Sequence, residues 1–245
     1  MANSETSFAD RLQRGSSLQA ALASFTPPFA PADPLLLPAA FATFLEGLGG
    51  MNQAVATAEA EWKDAAASRS ALVTEIKARA LRANSRVKSN TAWKAQVAAV
   101  KTAADNLRGY RTAAPKLPVN PESDAPAAPA RSRAKTDQSF GDIKNLLDKL
   151  IAALGRVSGY DTGAPVDVTV ASLSALATQL DGLNQMVAGK EQALAAARGP
   201  RNAAYDIDLA GSPCLRTRML AAKEATKSQY GTASAEYAQV KGIKV

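Results

Sequence analysis

Residues 36–80 read LLPAAFATFLEGLGGMNQAVATAEAEWKDAAASRSALVTEIKARA. Phe41, Phe44, Leu45, Leu48, Met51, Val55, Trp62, Leu72 and Ile76 recur mostly three and four positions apart, the period of one helical face. The segment returns without a gap in the second half of the chain, as VTVASLSALATQLDGLNQMVAGKEQALAAARGPRNAAYDIDLAGS, residues 168–212. Asn52, Gln53, Val55, Ala56, Glu59, Arg69 and Ala71 reappear as Asn184, Gln185, Val187, Ala188, Glu191, Arg201 and Ala203. Self-similarity at a fixed offset marks a repeated structural unit.

The same offset reaches back to the start of each copy. Ser7, Phe8 and Asp10 match Ser139, Phe140 and Asp142, while Leu18 and Leu22 match Leu150 and Leu154. Beyond about residue 86 the register slips by eight, and residues 91–101 align with 231–241. The second copy is therefore expected to carry an insertion near residues 207–214. The fold expected is all-α: two homologous helical units, an internal duplication forming antiparallel helical bundles. The first spans 7–110 and the second 138–245. Residues 111–137, with five prolines among Ala, Ser and scattered charge, read as a semi-rigid Pro/Ala-rich linker. The two units either pair into a pseudo-twofold bundle or stand side by side on that linker.

Within the first copy, Ser7 is expected to cap a helix running to about Ala23, with Gly15 weakening it. Residues 26–34 (TPPFAPADP) cannot be helical inside, because proline removes donors and clashes with the preceding turn. Pro38 suits the first turn of the next helix, some 43 residues and roughly 65 Å long, with Gly47, Gly49 and Gly50 as its weak point. A third helix runs from Asn90 or Thr91 to about Leu107. In the second copy an amphipathic helix ends at Gly159. The long helix after it is expected to kink or stop at Gly199-Pro200. Ser212-Pro213 has the form of an N-cap followed by proline at N1, and a short helix closes the chain at about 233–241.

Composition narrows the chemistry. Aromatic residues are few and Ala is plentiful, which suits closely packed helices rather than sandwiches or barrels. Histidine is absent, so the usual general base and the commonest transition-metal ligand are missing. The one cysteine, Cys214, allows no internal disulfide framework and reads as a packed small hydrophobe. No signal-type apolar run opens the chain, and no stretch approaches the ~18 apolar residues of a spanning helix. The default compartment is the cytoplasm, with export by a non-classical route left open.

The second copy also carries a resemblance. YDTGAPVDVTVASL, GLNQMVAGKEQALAAARGPRNAAY and SQYGTASAEYAQVKGIKV resemble a group of duplicated, Ala-rich, all-helical bacterial proteins with no established activity. The matching positions are Arg198, Arg201, Asn202 and Tyr205, then Gly231, Ser234 and Tyr237. Val245 departs from the aromatic expected at the end. The resemblance implies a fold and nothing about chemistry.

Each cluster of functional residue types has a structural reading beside the chemical one. Glu59, Glu61 and Asp64 would need Glu-x-x-His partners to form a di-metal site, and there are none; a solvated or salt-bridged helix face is expected. No cofactor or metal is expected. Arg69 and Arg201, kept by the repeat with Asn52 and Asn184, are either symmetric anion clamps or ties between helices of the two copies, and the ties are favoured. Between residues 77 and 111, Lys77, Arg79, Arg82, Arg86, Lys88, Lys94 and further basic residues meet one acid, Asp105, within a chain of net charge +7. The first six are the candidate contacts to nucleic acid or an anionic surface. The function expected is non-catalytic: a structural or scaffolding protein whose partner is itself. A basic protein that binds nucleic acid or an anionic surface is the alternative.

Overall fold

Every element of the computed structural model is helical among the residues it describes, 3–109, 139–209 and 211–245; an isolated bridge between Leu209 and Ser212 is the exception. The α-helices are α1 (Asn3–Ala23), α2 (Pro38–Ser89), α3 (Lys94–Arg108), α4 (Phe140–Gly155), α5 (Val170–Asp206), α6 (Leu215–Tyr230) and α7 (Ala235–Lys241). Short 3-10 turns at Pro34–Leu36, Thr91–Trp93 and Val166–Val168 lead into α2, α3 and α5. The expected linker, 111–137, and Tyr110 lie outside the described residues.

Local chemistry accounts for most boundaries. α4 opens on a capping box: Ser139 Oγ accepts from the Asp142 N–H at 3.1 Å, and Asp142 Oδ2 accepts from the Ser139 N–H at 3.2 Å. Ile143, Leu147, Leu150 and Leu154 then form its buried stripe. Gly109 closes α3 at φ 86°, the left-handed conformation that glycine adopts without steric cost. Asp33 caps the first 3-10 turn through Leu35 N–H, and Ser234 caps α7 through Tyr237 N–H.

Five expected boundaries move, the first being the end of α4, which stops at Gly155 rather than Gly159. α1 begins at Asn3, ahead of Ser7, since nothing in residues 3–7 breaks a helix. α2 runs unbroken through Gly47, Gly49 and Gly50. Each glycine costs about 1 kcal/mol against alanine, but Phe41, Leu45 and Leu48 bury alongside, and packing outweighs propensity. α5 does not stop at Gly199-Pro200 but continues to Asp206. Pro200 and the residues just before it are exposed, so water can satisfy the carbonyl that proline leaves free. α6 starts at Leu215 with Cys214 as N-cap, not at Ser212-Pro213. Asp208 accepts the Cys214 N–H at 2.8 Å and the Thr217 hydroxyl at 2.9 Å, which holds Cys214 at the start of the helix.

The described helices build two compact units. One comprises Met1–Trp62 with Lys190–Val245, the other Lys63–Gly189. Each of the units expected from the sequence, 7–110 and 138–245, is divided between these two compact units. In the first unit Leu18, Leu22, Phe41 and Leu48 share a core with Tyr205, Leu215, Met219 and Val240. In the second, Ile76, Ala80, Val87, Val100 and Leu107 share a core with Leu147, Leu150, Leu154, Leu173 and Leu180.

Gly15 shows how tightly the first core closes. A Cβ there would lie 2.8 Å from Leu45 Cδ2 and 3.2 Å from Leu215 Cδ1. Both neighbours are flexible side-chain ends, so Gly15→Ala is expected to stay within about 1 kcal/mol of the parent, its helix propensity offsetting the shift of Leu45. Gly15→Val crowds both leucines and should cost about 1–3 kcal/mol in urea denaturation. Parent-like stability in the valine variant would mean that the helices do not close on this residue.

Candidate functional site

Arg69 and Arg201, at matching positions of the two sequence halves, each sit on an aromatic ring. In the first unit Arg201 is buried, with its guanidinium carbon 4.1 Å from the ring centre of Phe8. In the second unit the guanidinium carbon of Arg69 lies 3.6 Å from the ring centre of Phe140. Each arginine thus reaches an aromatic from the other half of the chain, in a geometry that favours cation–π attraction.

Around Arg201 a larger cluster forms. Tyr205, fully buried near the end of α5, meets Phe8 edge-on at 4.8 Å between ring centres. Its hydroxyl accepts from Asn52 Nδ2 at 2.9 Å. Arg11 lies 5.1 Å over the Tyr205 ring, donates to the Tyr205 carbonyl at 2.8 Å, and pairs with Asp206 at 2.7 Å. Burial pushes the Tyr205 phenol above its ordinary pKa, against the opposing pull of Asn52, Arg11 and Arg201. The hydrogen bond from Arg11 holds the Asp206 carboxyl below the usual range.

The basic run meets partners within the second unit. Arg86 donates to the carbonyls of Tyr160 at 3.0 Å, Thr162 at 2.8 Å and Gly163 at 3.2 Å. Its guanidinium also faces the rings of Trp93 and Tyr160. Arg79 donates to the Asp167 carbonyl at 3.0 Å and to Ser172 Oγ at 2.8 Å, and pairs with Glu75. Arg82 pairs with the Asp167 carboxylate. Trp93 Nε1 donates to Ser158 O at 3.0 Å. These side chains hold residues 158–172 against α2 and the turn before α3, through backbone acceptors and the side chains of Asp167 and Ser172. Of the remaining candidates, Lys88 and Lys94 are exposed and Lys77 is half-buried.

Two further positions escaped sequence reasoning. Arg218 is buried over Phe44 at 4.0 Å and donates to Leu35 O at 3.2 Å; burial lowers its pKa, with Asp33 opposing. With a slip of seven rather than eight, Arg218 is the counterpart of Arg79, and in the unslipped register Leu35 is the counterpart of Asp167. The same tie therefore occurs in both units. A slip of eight pairs Arg218 with Ala78 instead, which hid it. Arg11 with Asp206 had no signal at all, the two being 195 residues apart.

Other chemistry-bearing residues stay dispersed. Glu59 pairs with Arg198 at 3.3 Å and Glu61 with Lys190 at 2.7 Å, partly exposed bridges of small energetic weight. Asn184 is half-buried, and its Oδ1, like those of Asn52 and Asn84, has no hydrogen-bond partner. Cys214 is buried against Thr217 and Asp208. A groove of about 440 Å³ runs between α3 and α4, lined mainly by Ala98, Ala99, Thr102, Ala103 and Leu146. No group of three or more metal-ligating side chains occurs among the described residues, nor any helix long and apolar enough to cross a membrane. No family, curated protein or solved structure matches the chain.

Proposed function

We propose that this chain is a non-catalytic structural or scaffolding protein, made by duplication of one helical unit and acting through association with further copies of itself. Burial follows the repeat. Leu18, Leu22, Leu36, Phe41, Leu48 and Val55 are buried, and so are their counterparts Leu150, Leu154, Val168, Leu173, Leu180 and Val187, all at one offset. Past the insertion the buried pattern continues in the register that relates Arg79 to Arg218: Ile76, Ala80, Ala83 and Val87 correspond to Leu215, Met219, Ala222 and Thr226. Contacts in opposite order along α2 and α5 favour an antiparallel pairing: Asn52 with Tyr205, Glu59 with Arg198, Glu61 with Lys190.

One observation carries the step from architecture to association. Leu81 and Leu220, counterparts in that same shifted register, are 41% and 48% exposed on otherwise well-packed helices. A duplicated chain thereby offers a related apolar position on each copy, which suits repeated contact with identical chains. The alternative, nucleic-acid or anionic-surface binding, keeps Lys77, Lys88 and Lys94, whereas Arg79, Arg82 and Arg86 are engaged in holding residues 158–172.

Light scattering over a concentration series tests the reading. The mass should rise above the 25.4 kDa of one chain, and less so in a Leu81→Lys/Leu220→Lys variant. A strict monomer at high micromolar concentration would sink it.

A further inference from the structure

We infer that a second copy of this chain associates by exchanging halves, residues 139–245 of each chain completing both cores of the other. The inference deepens the self-association reading, but rests on the make-up of the two cores rather than on the exposed leucines.

Neither half holds a finished core. In the first unit, α1 and the front of α2 supply Leu18, Phe41 and Leu48, while the second half supplies Tyr205, Leu215 and Met219. In the second unit the first half supplies Ile76, Ala80 and Leu107, and the second half Leu147, Leu150 and Leu173. The polar ties also join halves. Gln229 exchanges hydrogen bonds with Pro28 O and the Ala30 N–H, each at 2.9 Å, and Tyr230 donates to Pro27 O at 2.6 Å. In the other unit Arg86 reaches Tyr160 and Trp93 reaches Ser158.

What holds the chain together is therefore an interface between two pieces that happen to be covalently joined through residues 110–138. The same surfaces fit the corresponding half of any identical chain, with no new contact required. Closed monomer and exchanged dimer contain the same cores and differ only in whether the partner half is tethered. The balance between them is set by protein concentration against the effective concentration that the tether imposes, on the order of millimolar for a short tether.

The test uses the full chain with a site-specific protease sequence in place of residues 121–127. It is unfolded and refolded at concentrations from micromolar to about millimolar. A dimer fraction that grows with refolding concentration is expected, and after isolation it should fall to monomer size on cleavage. The cut monomer should keep both fragments in one complex, with complete cleavage verified on a denaturing gel. No dimer after refolding at the highest concentration would overturn the proposal, as would a dimer that keeps its size when cut, or fragments that separate. Native chains that associate without refolding, and stay associated when cut, would uphold the scaffold reading while removing half-exchange. A cleavable dimer formed only on refolding would do the reverse.

Discussion

Replacing Tyr205 with alanine is expected to cost about 3–5 kcal/mol of folding stability, near the top of the range for a single core substitution. The ring, carried by the second half of the chain, is fully buried against residues of the first: Phe8 and Arg11 from α1, Asn52 from α2. Truncation leaves a cavity and strands the Asn52 amide, whose other polar atom, Oδ1, already lacks a partner. Tyr205→Phe keeps the packing and removes only the hydroxyl, so it should cost about 1–3 kcal/mol. Guanidinium denaturation of parent and both variants measures the two figures. A loss below about 1 kcal/mol for the alanine variant would mean that this ring does not close the first core.

The second large effect is an alkaline one, in the other unit. Tyr160 is 2% exposed, its hydroxyl donating to Val168 O at 2.9 Å. Burial pushes its phenol up to about 12, with Arg86 opposing and Asp161 adding to the rise. A raised folded-state pKa means that the neutral form is favoured on folding. Its contribution is complete below the unfolded phenol pKa of about 10 and is lost as pH climbs through the folded value. Two pH units correspond to about 3 kcal/mol lost over that window. Tyr160→Phe has no proton to lose, so its stability should fall less steeply there than the parent's. The comparison of slopes matters because Tyr205 and Tyr230 are also raised and remain in both proteins. Identical alkaline slopes would show that Tyr160 does not titrate from a buried position.

The helical content was legible because periodicity survives local interruptions. Leu150 and Leu154 announce a stripe whatever surrounds them, and the apolar spacing from Phe41 to Ile76 outlasts three glycines. Boundaries failed where a local signal competed with something distant. Ser212-Pro213 has the right grammar for a helix start, but Asp208 reaches Cys214 and moves the cap. Pro200 has the grammar of a stop, yet Arg201 and Tyr205 beyond it are anchored in the first core. The partners of the basic run were illegible for another reason. Arg86 binds the carbonyls of residues 160, 162 and 163, and every residue has a carbonyl, so no side-chain pattern betrays such an acceptor. The composition of the two units was hidden by the repeat itself. Copies with the same apolar pattern look alike whether each folds on its own partner helices or on those of the other.

The interleaved cores impose an order on synthesis. A nascent chain that has emerged as far as Gly189 already holds every residue of the unit Lys63–Gly189, which can close while the ribosome is still working. Met1–Trp62 must wait for Lys190–Val245, made after it. The apolar stripe of α1 and the front of α2 therefore stays uncovered until residues 190–245 have been made, and Leu18, Phe41 and Leu48 are where a chaperone would find the unfinished protein.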